Sequence, residues 1–267
     1  MVNQNLLRQS ISKLNTNTRI IFTKNNQMNN TQIRSMGTRG ARGHGWLHKY
    51  RSGEGGRHLQ GRYHNRDIQK LTSINDQVFA LNTIHSDKVS TPCKAYLDVA
   101  VEGEDDGPHR IVIELASAAL PNTCRNFVDL CVADKHGYTS SKVYKILPQV
   151  GLCLGDTTDY NNGKQGRCSP NVVPTDALVN TSTFAHEATV LSHAEKGIVT
   201  MLSTGLDKND SRFMIMTADD APHLDGRLVA FGRVKEGLDA LENIVKNTYT
   251  KKGEPTVNIE IVGSGTL

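Results

Sequence analysis

The sequence predicts a mostly β fold: a closed antiparallel barrel capped by two α-helices, with a long extended basic arm at its N-terminal side. Three observations point there. From residue 96 onward, short apolar runs follow one another in the alternating pattern of half-buried strands. Within that part, only two stretches carry a helical period. Charge divides the chain ahead of that part: residues 1–66 hold twelve Lys/Arg and one acid, Glu54, a net of +11. Of the 31 basic and 27 acidic residues in all, nineteen and twenty-six remain for residues 67–267, a net of −7. A hydrophobic content of 37% with 5% aromatics supplies one modest core in 267 residues.

The elements follow in order. Tyr96-Leu-Asp-Val-Ala-Val-Glu102 alternates as a strand. His109-Arg-Ile-Val-Ile-Glu-Leu115 follows an acidic, glycine-containing turn at 103–108, so the two read as a hairpin. Leu120-Pro121 opens a helix with proline in its first turn, and Cys124, Phe127, Leu130 and Cys131 fall on one face. Further strands are expected near 142–147, 151–155, 197–203, 211–217 and 228–234. A second helix near 237–246 has Leu238, Leu241, Ile244 and Val245 on one side, and a last strand covers Val257 to Val262. Gly226 suits a hairpin turn and Gly232 a close strand contact; Val229, Phe231 and Val234 are barrel positions.

Three segments precede or make up this order. Residues 1–35 are acid-free and carry Arg8, Lys13, Arg19, Lys24 and Arg34, with Leu7, Ile11 and Leu14 on one helical face. Such a basic amphipathic start resembles a mitochondrial presequence. Residues 36–95 form a Gly/Arg/His-rich arm and connector. Eight glycines lie between Gly37 and Gly61, interleaved with Arg39, Arg42, Trp46, Lys49, Tyr50, Arg51, Arg57, Arg62 and Tyr63. This is an extended chain with cationic and stacking side chains, suited to protein subunits of a large assembly, anionic lipid or rRNA. Its histidines, His44, His48, His58 and His64, lack carboxylates and finger spacing, so no metal is expected, nor any other cofactor. Residues 67–95 read as a polar connector with one short apolar segment, Val78 to Leu81. Residues 96–267 are the folded domain. Five cysteines, an odd number without a C-x-x-C pair, predict free thiols in a reducing compartment. No apolar run approaches the roughly 20 residues of a membrane span.

The domain's words resemble those of the cyclophilin family. Pro121-Asn-Thr-Cys-Arg-Asn-Phe127 is similar to the family's first helix, and Gly197-Ile-Val-Thr-Met201 to its glycine-initiated strand. Asn209-Asp-Ser-Arg-Phe213 followed by Met-Ile is similar to its Gly-Ser-Gln-Phe-Phe-Ile segment. The fourteen residues Leu224-Asp-Gly-Arg-Leu-Val-Ala-Phe-Gly-Arg-Val-Lys-Glu-Gly237 nearly match its consensus. A second, short resemblance joins GGRHLQGRY and LTSINDQVF to the Gly-Gly-x-His…Arg-Tyr region of the AGGG subunit of respiratory complex I.

The first resemblance implies a prolyl isomerase groove, in which an apolar pocket holds the proline ring and an arginine bonds near the twisting amide. Twisting that bond must overcome about 18–20 kcal/mol. The family's His-Arg-Ile-Ile-Pro stretch reads Tyr144-Lys-Ile-Leu-Pro148 here, so Lys145 stands at the arginine position. Lysine keeps the charge and loses the planar fork. Where the family has Phe, Met and Gln, this chain has Val150, Gly151 and Cys153. Its small Ala becomes Leu202, its Gln Arg212, its pocket Phe Met214 and its His Leu228; His223 stands where Trp or His is found, and Leu224 is kept. His186 and His193 read as surface or capping groups, and residues 159–166 as a loop beside the groove.

The expectation is a non-catalytic accessory subunit of a large mitochondrial assembly, associated with the inner membrane on its matrix side, with respiratory complex I favoured. Alternatives are a mitochondrial ribosomal protein with an rRNA-binding arm, a weakly active organellar isomerase, or a module that binds peptides in the relict groove.

Overall fold

The computed structural model describes residues 66–85, 90–104, 107–172, 182–205 and 208–267. The chain divides into two units, Met1–Asp67 and Ile68–Leu267, and the second is described here. The presequence-like segment and all nine arm residues from Arg39 to Tyr63 lie outside the described residues.

Helix α1 (Ile68–Ile84) comes first. The hairpin β1 (Lys94–Val101) and β2 (His109–Leu115) leads into helix α2 (Pro121–Val132). Then come β3 (Lys145–Leu147), β4 (Gly151–Leu154), a single 3₁₀ turn (Pro170–Val172), β5 (Phe184–Ala185), β6 (Ile198–Gly205), β7 (Lys208–Met216) and β8 (Ala230–Glu236). Helix α3 (Leu238–Asn247), the small pair β9 (Thr250–Lys251) and β10 (Glu254–Pro255), and β11 (Ile259–Thr266) complete the chain. The main sheet is antiparallel throughout, in the order β11-β1-β2-β8-β6-β7-β4-β3, with β5 on β7.

Two expectations are corrected. The sheet is curled but open, because β11 and β3 are not ladder partners. Residues 140–143 cross the gap instead, through Ser140 N–H to Ile261 O at 2.7 Å, Ile261 N–H to Ser141 O at 2.9 Å and Val143 N–H to Ile259 O at 2.8 Å. Ser140 has φ +72°, which turns the chain out of the extended run, so one isolated bridge, Lys142 to Glu260, forms in place of a strand pair. The second correction is a third helix: residues 68–84 are α1, not a connector. Asn75, Val78, Phe79 and Asn82 are its buried residues.

The core lies on the concave side of the sheet, plugged by α2. Cys124, Phe127, Leu130 and Cys131 are all buried there. Phe127 is its hub, with ring centroids 5.1 Å from Tyr138, 5.2 Å from Phe213 and 5.1 Å from Phe231. These are the offset and edge arrangements that aromatic quadrupoles favour. The start of α2 has Pro121 in its first turn and no side-chain cap from Leu120. Glu187 supplies the cap from a distant loop: its carboxylate accepts from Asn122 N–H at 2.9 Å and Thr123 N–H at 2.7 Å. In α3, Leu241 and Ile244 are buried, and Leu238 and Val245 are half-buried. Gly226 takes φ +72° in its turn, and a Cβ at Gly232 would lie 3.0 Å from the Glu114 carbonyl oxygen.

Candidate binding groove

Strand pleating decides which residues share the groove face. In β7, Phe213 and Ile215 point to the core, so Arg212 and Met214 occupy the opposite face. Register then sets a transverse row: Lys145 pairs with Cys153, Cys153 with Met214, and Met214 with Thr200, across β3, β4, β7 and β6. Leu202 sits where the β6–β7 register shifts, between Met201 and Ser203. Leu224 and Leu228 close a turn, Leu228 N–H to Leu224 O at 3.1 Å, that feeds β8 beside β6. Sequence positions far apart are thus brought to one face.

The row's middle is packed rather than open. Cys153 is 4% exposed, Met214 2% and Thr200 0%. Val150, Leu202, Leu224 and Leu228 are half-buried and pack against the same apolar cluster. A Cβ at Gly151 would overlap the Ile215 carbonyl, so β4 approaches β7 there more closely than a side chain permits. His223 is exposed. Lys145 is exposed too, with its stem against Gly253 and no carboxylate partner among the described residues. Burial pushes the Cys153 thiol up to about 11, with Lys145 pulling it slightly back. All five cysteines are free thiols.

Arg212 is held quite differently from Lys145. Its Nε donates to Asp210 Oδ1 and Oδ2 at 3.2 and 3.0 Å, its Nη2 to Oδ2 at 2.8 Å and its Nη1 to the Gly163 carbonyl at 2.6 Å. The side chains are 12% and 1% exposed. Burial pushes the Asp210 carboxyl up, and the bonds from Arg212 pull it back; the net direction is up. Gly163 belongs to a loop pinned by Asp156, which is fully buried and accepts from the N–H groups of Thr158, Asn162 and Gly163 and from the Thr158 hydroxyl at 2.6–2.9 Å. The loop expected at 159–166 is therefore present, ordered and tied to Arg212. A cleft of about 440 Å³ opens between this loop and residues 182–183; Arg212 and Asp210 line it, while Lys145 and Met214 do not.

His193, read as a surface or capping group, is fully buried, which corrects the surface half of that reading. Its Nδ1 and backbone N–H both meet Asp225 Oδ1 at 2.8 Å. Sequence reasoning did not single out Asp156, Asp210 or Asp225. The one local signal was the Asp210-x-Arg212 spacing, which puts both side chains on the same face of a strand.

Among the described residues, no helix is long and apolar enough to cross a membrane. A family model for the cyclophilin type peptidyl-prolyl cis-trans isomerase/CLD matches residues 96–266, which spans β1 through β11 and the groove they carry. With well over half of the sequence under that match, and the framework words standing on the strands and helix they were expected to form, the chain belongs to the cyclophilin-type peptidyl-prolyl cis-trans isomerase family.

Proposed function

We propose that this chain is a non-catalytic member of its family, a structural subunit of a large mitochondrial assembly. The observation that carries this reading is Lys145: an exposed ammonium with no preorganising partner stands where the resemblance places the charge-stabilising arginine. Loss of one preorganised donor typically lowers a rate by about 10²–10³. The packed row Cys153–Met214–Thr200, with Leu202 beside it, adds a second obstacle, since a proline ring would meet side chains already in contact. The test is a proline-peptide isomerisation assay on the full chain. No acceleration above about a hundredth of an ordinary family member is expected; acceleration near that of an active isomerase would overturn the reading.

The basic N-terminal segment, net +11 over residues 1–66, is the part suited to partners. A respiratory inner-membrane complex on the matrix side is the favoured assembly, with complex I first, on the strength of the presequence-like start and the short AGGG-like stretch. Co-migration with respiratory complexes on a native gel is expected after detergent extraction. The same charge with interleaved Trp46, Tyr50 and Tyr63 favours rRNA as the second reading, and a ribosome-sized sedimentation peak would select it.

A further inference from the structure

Helix α1 lies before the matched residues 96–266, yet it belongs to the same compact unit. Its seat is made by amides rather than by a long apolar stripe. Asn75 binds the Ser192 main chain from both sides: Oδ1 accepts from Ser192 N–H at 2.9 Å, and Nδ2 donates to Ser192 O at 3.1 Å. Nδ2 also reaches Glu195 at 3.1 Å. Two turns further, Asn82 makes a similar pair of bonds to another segment, with Nδ2 to Leu115 O at 2.6 Å and Oδ1 accepting from Ala118 N–H at 3.0 Å. Both asparagines are buried, at 0% and 9% exposure, so each bond is shielded from water. Between them Phe79 is covered by the Arg233 guanidinium, 4.3 Å from its ring centroid. Arg233 in turn donates to Asp76 of α1 and to Glu114 of β2, at 2.5 and 2.8 Å.

The contact at Ser192 does not end there. The next residue, His193, bonds Asp225 through its ring and its backbone, and its carbonyl accepts from Ala221 N–H at 2.8 Å. Ala221 O then accepts from Leu224 N–H at 3.0 Å, and Leu224 O from Leu228 N–H. Leu224 and Leu228 are the groove wall on the β8 side. An unbroken set of hydrogen bonds therefore runs from α1 to that wall.

We infer that α1 is a built-in clamp, in which Asn75 acts as a positioning residue that holds the 191–196 loop and, through His193 and Asp225, the Leu224–Leu228 wall of the groove. In sequence α1 directly follows the basic segment, so a partner that displaces α1 loosens the wall, and a ligand that fixes the wall strengthens the seat of α1 by the same factor. This does not depend on whether the groove catalyses anything.

The test is amide hydrogen exchange on the full chain, with Asn75→Ala compared against Asn82→Ala. Asn75→Ala removes all three of the bonds described; transmission of even one bond's worth to the wall predicts at least roughly tenfold faster exchange at the amides of His193, Leu224 and Leu228, with β1 and β11 unchanged. Asn82→Ala releases the other end of α1 and is expected to speed exchange in α1 and at Ala118, with a smaller effect on the wall. If Asn75→Ala does not fold, Asn75→Ser, which keeps a small polar group there and loses the amide's reach to Ser192, gives the milder version. Faster exchange confined to α1 and Ser192, or an equal increase at every protected amide, would overturn the inference.

Discussion

The two faces of β7 make the most instructive pair of regions in this molecule. Facing inward, Phe213 packs edge-on to Phe127 and Tyr138 at 5.2 and 5.1 Å, in an aromatic cluster that joins α2 to the sheet. Facing outward one residue to either side, Arg212 and Met214 stand where the resemblance places a glutamine and a phenylalanine. By that resemblance, one strand pairs a family-like interior with an exterior of different chemistry. A fold needs the first face to fill space at close-packed density, whereas only the chemistry needs the second. On the reading proposed above, a domain kept for its shape would hold the first face and be free to change the second.

The sharpest way to break this comparison is to remove the inner face. Phe213→Ala deletes a ring at 0% exposure that touches two other aromatics. A loss of about 3–5 kcal/mol is expected in urea unfolding. A loss below about 1 kcal/mol would mean that the cluster is not the anchor described.

The outer face should respond through charge rather than volume. Asp210→Asn leaves the Arg212 guanidinium half-paired beside Gly163 O, in a site where its side chain is only 12% exposed. A cost of about 3 kcal/mol is expected, the scale for breaking a buried pair by removing one partner. The double variant Asp210→Asn, Arg212→Gln removes the stranded charge as well and is expected to recover most of that loss. If the double variant were as unstable as the single, Asp210 would be acting through the loop at Gly166, where an added Cβ would overlap the Asp210 carboxylate carbon, and not through Arg212.

How much of this was legible in the sequence follows from which signals are local. The hairpin β1–β2, α2, the Gly197 strand and β8 were readable because each carries its own periodicity or turn residue. Lys145, Cys153 and Met214 were named one by one from the resemblance, and that they form a row across three strands was not legible, because register is set only when the strands pair. Helix α1 was missed because two of its four buried positions, Asn75 and Asn82, are amides, so the apolar period is interrupted where the helix is most firmly seated. The burial of His193 was not legible because its partner, Asp225, is 32 residues away and the bond exists only after folding. Closure of the barrel was overestimated because a serine at φ +72° leaves no mark in composition. Long-range polar pairing and single backbone turns are tertiary facts, and hydropathy patterning does not encode them.

The smallest expected effect lies at an ion pair that water can reach. Lys196 donates to Glu242 of α3 at 2.9 Å, and Lys246, one helical turn on, adds a second contact at 3.6 Å. The hydrogen bond from Lys196 is the main reason why the Glu242 carboxyl is held below its ordinary 4.5. A carboxylate whose pKa is lower in the folded chain than in the unfolded chain stabilises above the unfolded value. That contribution fades as pH falls through the folded one. Glu242→Gln should therefore be slightly less stable than the natural chain at pH 7, and the gap should close on acidification below about pH 4. Added salt should narrow it at neutral pH as well, because the pair is screened by solvent ions. Urea midpoints taken at pH 7 and pH 3, with and without 1 M salt, would check this. A gap that persisted unchanged at pH 3 would assign the role of Glu242 to packing of its methylenes on α3, and the contrast with the shielded Asp210–Arg212 pair would lose its electrostatic basis.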